Sequence, residues 1–538
     1  MATSAEMNPE EYRLLTDRSI YIAGELLNFR VFNLSPDSLQ ELGWSKVYYA
    51  ELISPEGLSH AQAKISMDST GAGGALKIPG ELPSGTYYLK GYTRWMRNYG
   101  PTSYTYLSVE VVNPYKRTLL SVDTSSKVNL PLMKPETDPE TAGLIMGDLS
   151  GRVVKKAPVI LNLSLNRDDS PAHCCVTVIP DGVLKKQWES VQSPKDLRRK
   201  GIELIPETRG VSLSGKVEFP GSGDPAPYAV VYISIMDKEK SFNCNYADSS
   251  GRFYFSCPDS YGERDLFISA NHPDAMGLDL FIDQDFCPEP ITLPSYPLEI
   301  EENDLQLIAD LSLNAQIRDH YYSGHSASDE PGSTHMKFFY GDPSSVVKFN
   351  DFIKLPTLEE YFTEVTPQVS LKKSNRTRKF RVWGDHPELE FLEPLVMIDG
   401  VAIFDVESVL EISPGYIDRI EIVDAPYIKG SVTFGGIINI VSRNNDMGFI
   451  DLPASGTLLN YKMYAETLPG DQDHQSGDPE YPDVRNTIYW NPYVELSPGE
   501  NRELSFLAPE VPGFYQLLIR GYDATGIYLE KSIPFRVE

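Results

Sequence analysis

The chain has no long hydrophobic run. No stretch approaches the roughly 18 apolar residues that a helix needs to cross a bilayer, so we predict no transmembrane segment of its own. The opening residues, MATSAEMNPEEY, also lack the basic and apolar regions of a signal peptide. If the protein is exported, we expect a trimmed precursor, and whether that precursor carried a lipid anchor stays open.

Cysteine and histidine are scarce. The five cysteines form no CxxC spacing, so neither a zinc site nor a redox dithiol is indicated. Cys244 and Cys257 flank a predicted turn at residues 248–251, which is compatible with a disulfide or with two separate buried thiols. His325 and His335 lie in a Ser- and Gly-rich stretch that favours a linker over a metal site. We predict no metal and no cofactor.

Motifs of catalysis are missing as well. The sequence holds no GxSxG, HExxH, GxxxxGK[ST] or GxGxxG string, and these patterns mark the common nucleophilic, zinc, phosphate and dinucleotide sites. We therefore predict that the protein is not an enzyme. Acidic residues outnumber basic ones by 76 to 48, for a net charge of −28. Because such a surface repels a phosphate backbone, we predict no nucleic-acid partner.

The residues that are abundant favour β-structure. Apolar residues make up 41% of the chain and aromatic residues 11%, with 31 Tyr and 41 Pro, which is typical of sandwiches with proline-marked turns. The length of 538 residues exceeds what one core supports. We predict a mainly β protein of tandem immunoglobulin-like β-sandwiches with one small α/β domain.

Residues 12–113 have the strand spacing of one sandwich. They resemble the MG2 domain of the alpha-2-macroglobulin family through two motifs, TDRxxYxxGExxxF from Thr16 and PSGTYYLKGYT from Pro83. Asp17, Arg18 and Glu25 of the first motif admit two interpretations. They form a functional site, or they pair with one another and fix a strand corner.

Two more sandwiches are predicted at residues 114–206 and 448–538. The first resembles the next macroglobulin-type module but lacks its Gly-Cys-Gly-Glu-Gln thioester. The string His173-Cys174-Cys175 is a poor substitute, because adjacent strand residues face opposite ways. The second resembles the closing macroglobulin-like domain of surface proteins that combine macroglobulin and plug modules. The residues that carry this likeness are Asp483, Arg485, Thr487, Tyr489, Trp490, Pro492, Phe506, Tyr515 and Gly521.

Residues 207–298 predict a smaller all-β unit, in which two strands flank a long loop and a third follows a turn. The unit resembles the carboxypeptidase regulatory-like domain, a prealbumin-like fold that commonly precedes a plug domain in receptors of Bacteroidetes-type cells. This resemblance implies no catalytic residue, because it is to the accessory domain. The matching residues are Gly215, Val217, Pro227, Ala229, Val230, Asp248, Gly251 and Phe253.

Residues 299–345 predict a helix and a linker, with the helix between Asn303 and His320. Residues 346–447 then mix helix and strand signals. A helix follows Pro356-Thr357, Asp399-Gly400 marks a tight hairpin, and a short helical stripe precedes the stop at Pro414-Gly415.

The block 346–447 resembles the plug domain of TonB-dependent outer-membrane receptors. A receptor barrel commonly needs about 22 strands of roughly ten residues each, more than residues 444–538 can supply. We therefore expect the plug-like unit to serve a purpose other than gating a pore in its own polypeptide. The matching residues are Pro394, Leu395, Ile398, Asp399, Gly400, Ile417, Ile420, Glu421, Ile422, Gly435, Gly436, Ile438, Asn439 and Ile440.

The densest basic cluster of this acidic chain lies between residues 372 and 383. It is either a solvated strand and loop, or a contact surface for an acidic partner or for lipopolysaccharide phosphates. We take it as the predicted partner-binding set, which consists of Lys372, Lys373, Arg376, Arg378, Lys379, Arg381 and Trp383.

Two functions are compatible with these patterns. The first is a non-catalytic extracytoplasmic scaffold that binds an outer-membrane β-barrel protein or its accessory lipoproteins, at the cell surface or the periplasmic face. The second is a surface glycan- or peptide-binding protein that assists TonB-dependent nutrient uptake. The second function requires an aromatic platform, for which the candidates are Trp95, Tyr99, Tyr104, Trp383 and Tyr489-Trp490.

Overall fold

A computed structural model describes most of the chain. The described residues are 10–35, 45–121, 130, 132–133, 145–149, 153–166, 171–190, 204–236, 240–257, 259–275, 277–298, 300–302, 304–322, 338–374, 377–444, 456–466 and 483–538. The chain divides into two compact units. Unit 1 comprises Met1–Val211, Phe286–Ser328 and Tyr464–Glu538, and unit 2 comprises Ser212–Asp285 and Asp329–Met463.

The elements follow in chain order. The first strands are β1 (Tyr12–Thr16), β2 (Ile20–Ile22), β3 (Leu26–Asn33), β4 (Val47–Ile53), β5 (Ser59–Ser66), β6 (Gly71–Lys77), β7 (Gly85–Tyr92), β8 (Thr105–Val112), β9 (Leu132–Met133), β10 (Ile145–Leu149), β11 (Pro158–Leu165), β12 (Ala172–Pro180) and β13 (Glu189–Ser190). Next are β14 (Ser212–Glu218), β15 (Val230–Met236), β16 (Ser241–Tyr246), β17 (Arg252–Ser256), β18 (Glu263–Asn271), β19 (Asp279–Ile282), β20 (Ser345–Lys348), β21 (Val369–Ser374), β22 (Thr377–Val382), β23 (Leu395–Ile398), β24 (Val401–Ala402), β25 (Ile417–Val423), β26 (Tyr427–Lys429), β27 (Val432–Phe434), β28 (Ile437–Ser442) and β29 (Gly456–Lys462). The last strands are β30 (Tyr489–Leu496), β31 (Asn501–Leu507), β32 (Gly513–Asp523) and β33 (Tyr528–Val537), and the α-helices are α1 (Asp304–Tyr322), α2 (Leu358–Glu364) and α3 (Val406–Leu410).

The N-terminal sandwich of unit 1 packs the sheet β1-β3-β6 against the sheet β5-β4-β7-β8-β13-β9. Every residue of β4 and β7 is buried, although one face of a sandwich strand usually meets solvent. The outer face is covered by later parts of unit 1. Glu207 accepts a hydrogen bond from the Tyr49 hydroxyl at 2.9 Å, and Phe286 lies edge-on to the Tyr49 ring at 5.4 Å. Many of the tyrosine side chains therefore lie in the core.

The second sandwich of unit 1 is built from two distant parts of the chain. Its sheets are β10-β11-β31 and β30-β12-β32-β33, with Leu161 opposite Leu504 in the first. The strands predicted for separate sandwiches at 114–206 and 448–538 thus share one core, which differs from the expected division. Apolar alternation defines the inner face of a strand, but it does not specify the neighbouring strand.

Unit 2 contains a sandwich with sheets β17-β14-β19 and β16-β15-β18-β29. Strand β29 lies within the stretch predicted to open the C-terminal domain, yet it pairs with β18 along Glu263 to Ser269. The predicted boundary at residue 448 therefore does not coincide with the strand pairing.

The remainder of unit 2 is an α/β arrangement around the mixed sheet β20-β25-β28-β23-β24. Helix α2 begins after Thr357, whose side chain accepts a hydrogen bond from the Glu360 N–H as an N-cap. The β23–β24 turn places Asp399 at φ 48° and Gly400 at φ 82°, as a two-residue hairpin requires. The buried Asp399 carboxylate accepts hydrogen bonds from the backbone N–H and hydroxyl of Ser442, at 2.8 and 2.6 Å.

The structure confirms the predicted mainly β fold class. Within residues 346–447 it also confirms the helix after Thr357, the hairpin at Asp399-Gly400 and the short helix before Pro414. It also confirms the predicted long helix, which is α1. Cys244 and Cys257 are separate buried thiols, so of the two alternatives the disulfide is not formed. In the part of the chain that the structure describes, no helix is both long and apolar enough to span a membrane.

Candidate interaction surface

The β-hairpin of β21 and β22 in unit 2 carries five residues of the predicted partner-binding set, Lys372, Lys373, Arg378, Lys379 and Arg381, and Trp383 directly follows β22. The register places Leu371 opposite Phe380 and Lys372 opposite Lys379. Because successive strand residues face opposite sides, the hairpin has one apolar face and one basic face.

The apolar face fixes the hairpin to unit 2. Val369, Phe380 and Val382 are buried in its core. The Phe380 ring lies 4.7 Å from the ring of Phe362 on α2. Side chains on the opposite face therefore extend from strands whose other face is packed against the core of unit 2.

Arg378 has an internal role. Its guanidinium bonds Glu359 at 2.6 Å and also contacts the carboxylate of Glu407. The hydrogen bonds from Arg378 lower the pKa of Glu407, and the same contacts raise the pKa of Arg378. Because both carboxylates belong to neighbouring helices, Arg378 ties the hairpin to α2 and α3. This residue of the predicted set is structural.

The opposite side of the hairpin is the basic-aromatic face, which we define as Lys372, Lys379, Arg381 and Trp383. Lys379 pairs with Glu393 at 2.5 Å, and both side chains are largely exposed. Arg381 donates to the Leu392 carbonyl at 2.8 Å. These contacts orient the Lys379 and Arg381 side chains, and both remain close to solvent.

Lys372 and Trp383 form the centre of this face. The Lys372 ammonium lies 4.8 Å from the centre of the Trp383 ring, and the indole N–H donates to the Ser370 hydroxyl at 2.8 Å. Trp383 is 43% exposed. Among the described residues, no carboxylate lies within ion-pair distance of Lys372. Like charges directly opposite on paired strands destabilise a sheet. A contribution to stability therefore does not explain why Lys372 lies opposite Lys379.

Phe391 adds an apolar group that the sequence analysis missed. It is 79% exposed and precedes the Leu392 carbonyl that Arg381 contacts. No local pattern indicates this exposure, because Phe391 follows a short turn of 3-10 helix that buries Leu389 instead. Exposed aromatic and arginine side chains together are typical of interface centres.

Of the two remaining residues of the predicted set, the structure describes one, Lys373. Lys373 is exposed and opposite Arg378, and its positive charge contributes to the lowered pKa of Glu407. Arg376 lies outside the described residues.

Asp17, Arg18 and Glu25 form a buried network in unit 1. Glu25 accepts hydrogen bonds from Arg18 at 2.9 Å and from Asn486 at 2.6 Å. Arg318 of α1 lies 3.3 Å from the same carboxylate. Burial by itself raises the pKa of Glu25, but the charges of Arg18 and Arg318 outweigh it, so the pKa lies below its usual value. The three residues fix the strand corner, which is the second of the two interpretations.

The pKa of Asp17 is shifted in the opposite direction to that of Glu25. Its carboxylate accepts from the hydroxyls of Tyr21 and Thr487, at 2.6 and 2.5 Å. Burial raises the pKa of Asp17, and the Arg18 charge and these hydrogen bonds offset that rise only in part. The network is fully enclosed, which leaves no room for a substrate.

The aromatic platform predicted for the alternative function is not assembled. Trp95, Tyr99 and Tyr104 are buried in the N-terminal sandwich. Tyr489 is buried and Trp490 is half-buried in the second one. Trp95, Tyr99 and Tyr104 flank two short 3-10 turns between β7 and β8, so strand alternation could not indicate their burial.

No group of three His, Cys, Asp or Glu side chains that could hold a metal ion occurs in the described ranges. The stretch with His325 and His335 lies outside those ranges.

No protein-family model and no curated protein sequence matches the chain. The solved structures that match include Salmonella alpha-2-macroglobulin reacted with methylamine, at 9% identity and a TM-score of 0.24 over 98% of this chain and 39% of that one. Escherichia coli alpha-2-macroglobulin activated by porcine elastase matches at 9% identity and a TM-score of 0.23, over 98% and 44% of the two chains. The chain thus spans less than half the length of these macroglobulins.

A tetra-tandem repeat from the extending region of a large adhesion protein matches at 7% identity and a TM-score of 0.13, over 98% and 99% of the two chains. These scores carry no argument about function. The β-sandwich architecture rests on the strand pairing of the chain itself.

Proposed function

We propose that the protein is a non-catalytic extracytoplasmic scaffold that binds other proteins of an outer-membrane complex. The proposed partner is an outer-membrane β-barrel protein or one of its accessory lipoproteins. The resemblances of residues 346–447 to a plug domain and of residues 207–298 to the carboxypeptidase regulatory-like domain support this location. The observation that carries the proposal is the basic-aromatic face.

Charge complementarity explains why this face would bind an acidic surface. The face carries three cations, Lys372, Lys379 and Arg381, within a chain of net charge −28, and one carboxylate, that of Glu393, pairs with Lys379. An acidic partner is repelled by most of the surface and attracted here, which selects one orientation. Trp383 and Phe391 then supply apolar area that a partner can desolvate.

The proposal is tested with a double charge reversal, Lys372→Glu and Lys379→Glu, in the full chain. Tagged protein is recovered from native membranes after mild crosslinking, and the captured proteins are identified by mass spectrometry. We expect an outer-membrane barrel protein or lipoprotein with the wild type, and binding at least about tenfold weaker with the variant.

The matched control reverses the charges of two exposed lysines of unit 1, Lys155→Glu and Lys186→Glu. It changes the net charge equally and should retain the partner. Recovery of the wild type alone, or equal capture by wild type and the hairpin variant, would contradict the proposal.

A second candidate function, glycan binding, is favoured by a different surface. On the outer face of the sheet β17-β14-β19, Tyr254 and Phe281 are 39% and 54% exposed. Between them Arg252 pairs with Asp283 through two contacts, at 3.1 and 2.5 Å. Aromatic rings beside planar hydrogen-bonding groups suit the apolar faces and hydroxyls of sugar rings.

This candidate is tested by affinity electrophoresis through gels that contain soluble polysaccharides. The variant Tyr254→Ala with Phe281→Ala should lose any retardation that the wild type shows. Phe514→Ala removes another exposed aromatic ring and should change nothing. Unretarded wild type in every gel would count against glycan binding.

A further inference from the structure

A cavity of about 270 Å³ lies in unit 2. Three buried apolar side chains, Ile233, Ile235 and Phe255, form its inner wall. Four polar residues also line it, Ser241, Asn243, Ser256 and Lys429, and because each is half-buried or exposed, they lie on its solvent side. The cavity is therefore apolar inside and polar at the mouth, which is the arrangement of small-ligand sites.

The hairpin of β26 and β27 supplies the cationic part of the mouth. Gly430 has φ 57°, and a side-chain carbon there would overlap the Cys244 carbonyl oxygen of β16. The Cys244 thiol donates to the Lys429 carbonyl at 3.2 Å, and the Ser431 hydroxyl accepts from the Tyr246 N–H at 3.1 Å. These contacts fix the backbone of Lys429 beside the cavity.

The Lys429 ammonium has no anionic partner among the residues that the structure describes. The Lys429 nitrogen lies 5.8 Å from the centre of the Phe339 ring. No carboxylate among the described residues lies within ion-pair distance, although acidic residues are abundant in the chain. A carboxylate bound in the cavity would supply the counterion that this ammonium lacks.

We propose that this cavity binds a small monocyclic aromatic carboxylate. The ring lies against Ile233, Ile235 and Phe255, and the carboxylate accepts hydrogen bonds from Lys429 and Ser241. An apolar cavity of about 150 Å³ holds benzene, so this one has room for one ring with a short acidic substituent. The site is independent of the proposed function, because the ligand is a small molecule and the basic-aromatic face is not involved.

The test uses 4-fluorophenylacetate and its neutral analogue 4-fluorophenylacetamide as probes. Fluorine NMR line broadening and chemical-shift titrations with the full chain give an affinity for each. We expect saturable binding of the carboxylate to the wild type, and weaker binding of the amide. Lys429→Met should weaken carboxylate binding at least about tenfold and leave amide binding within about twofold.

Two further variants make the outcome decisive. Ser241→Phe places a ring in the mouth from a half-buried position and should abolish binding of both probes. Lys348→Met removes an exposed lysine on β20 and should leave both affinities unchanged. Failure of the wild type to bind either probe overturns the site, and equal loss of both probes in Lys429→Met overturns the role of the charge. Neither result bears on capture of a membrane partner.

Discussion

Replacing Glu25 by Gln removes one negative charge from the centre of unit 1. The Glu25 side chain is completely buried and faces two guanidinium groups, those of Arg18 and Arg318. Its carboxylate also accepts from the Asn486 amide and the Ile22 N–H, at 2.6 and 2.7 Å. Gln has almost the same volume, so the substitution changes charge and hydrogen bonding but creates no cavity.

The expected loss of unfolding free energy is large. Removing one partner of a buried ion pair typically costs about 3–5 kcal/mol, because the other charge remains buried without compensation. Here two arginines lose their common counterion, but Arg18 keeps Asp17 at 3.7 Å, so we expect a value within that range. The Gln amide group also presents donors to guanidinium groups that can only donate.

The measurement is urea unfolding followed by tryptophan fluorescence. Trp383 is the tryptophan of unit 2, and the other four belong to unit 1. In a Trp383→Phe background, the emission therefore reports on unit 1. Glu510→Gln serves as the control, because it breaks an exposed pair with Lys156 at 2.8 Å and should cost below about 1 kcal/mol.

The effect of Glu25→Gln should depend on pH in a defined direction. Because the pKa of Glu25 is lowered in the folded state, its charge contributes stability above the unfolded pKa of about 4.3. That contribution is lost as the pH falls through the lower folded value. The difference between wild type and variant should therefore be full at pH 7 and shrink below pH ~4.

A loss no larger than that of Glu510→Gln would refute the reasoning. It would mean that Arg18 and Arg318 find other partners or that water enters the network. A difference that is constant between pH 7 and pH ~3 would equally contradict the assigned pKa direction.

Three other perturbations have defined outcomes. Leu161→Ala should destabilise unit 1 by about 2–5 kcal/mol in urea unfolding, because Leu161 is fully buried opposite Leu504 of the distant C-terminal segment. Gly430→Ala should detach the β26–β27 hairpin, seen as faster amide hydrogen exchange at residues 427–434, since its side chain meets the Cys244 carbonyl. Burial raises the pKa of the Cys244 thiol to about 12, so iodoacetamide at pH 8 should label it only in denaturant; rapid native labelling would contradict the buried position.

Several local elements were predictable because residues close in sequence determine them. Asp399-Gly400 accepts the positive φ angles of a two-residue turn, and Thr357 caps α2 three residues ahead of its hydrogen-bond donor. The basic-aromatic face was predictable in part. Alternation along β22 separates Lys379 and Arg381 from Phe380, but nothing local assigns Arg378 to an internal ion-pair role.

What the sequence alone determined is the mainly β class, the periodicity of the strands and the location of the basic cluster, because these follow from side-chain type and spacing. The tertiary structure decided which strands are neighbours, as where β11 pairs with β31 from more than 300 residues further along the chain. It also decided that Trp95 is core and Phe391 is exposed. Burial of a side chain depends on which segments cover it, and such segments come from distant parts of the chain, as where Leu204 bonds Asn98.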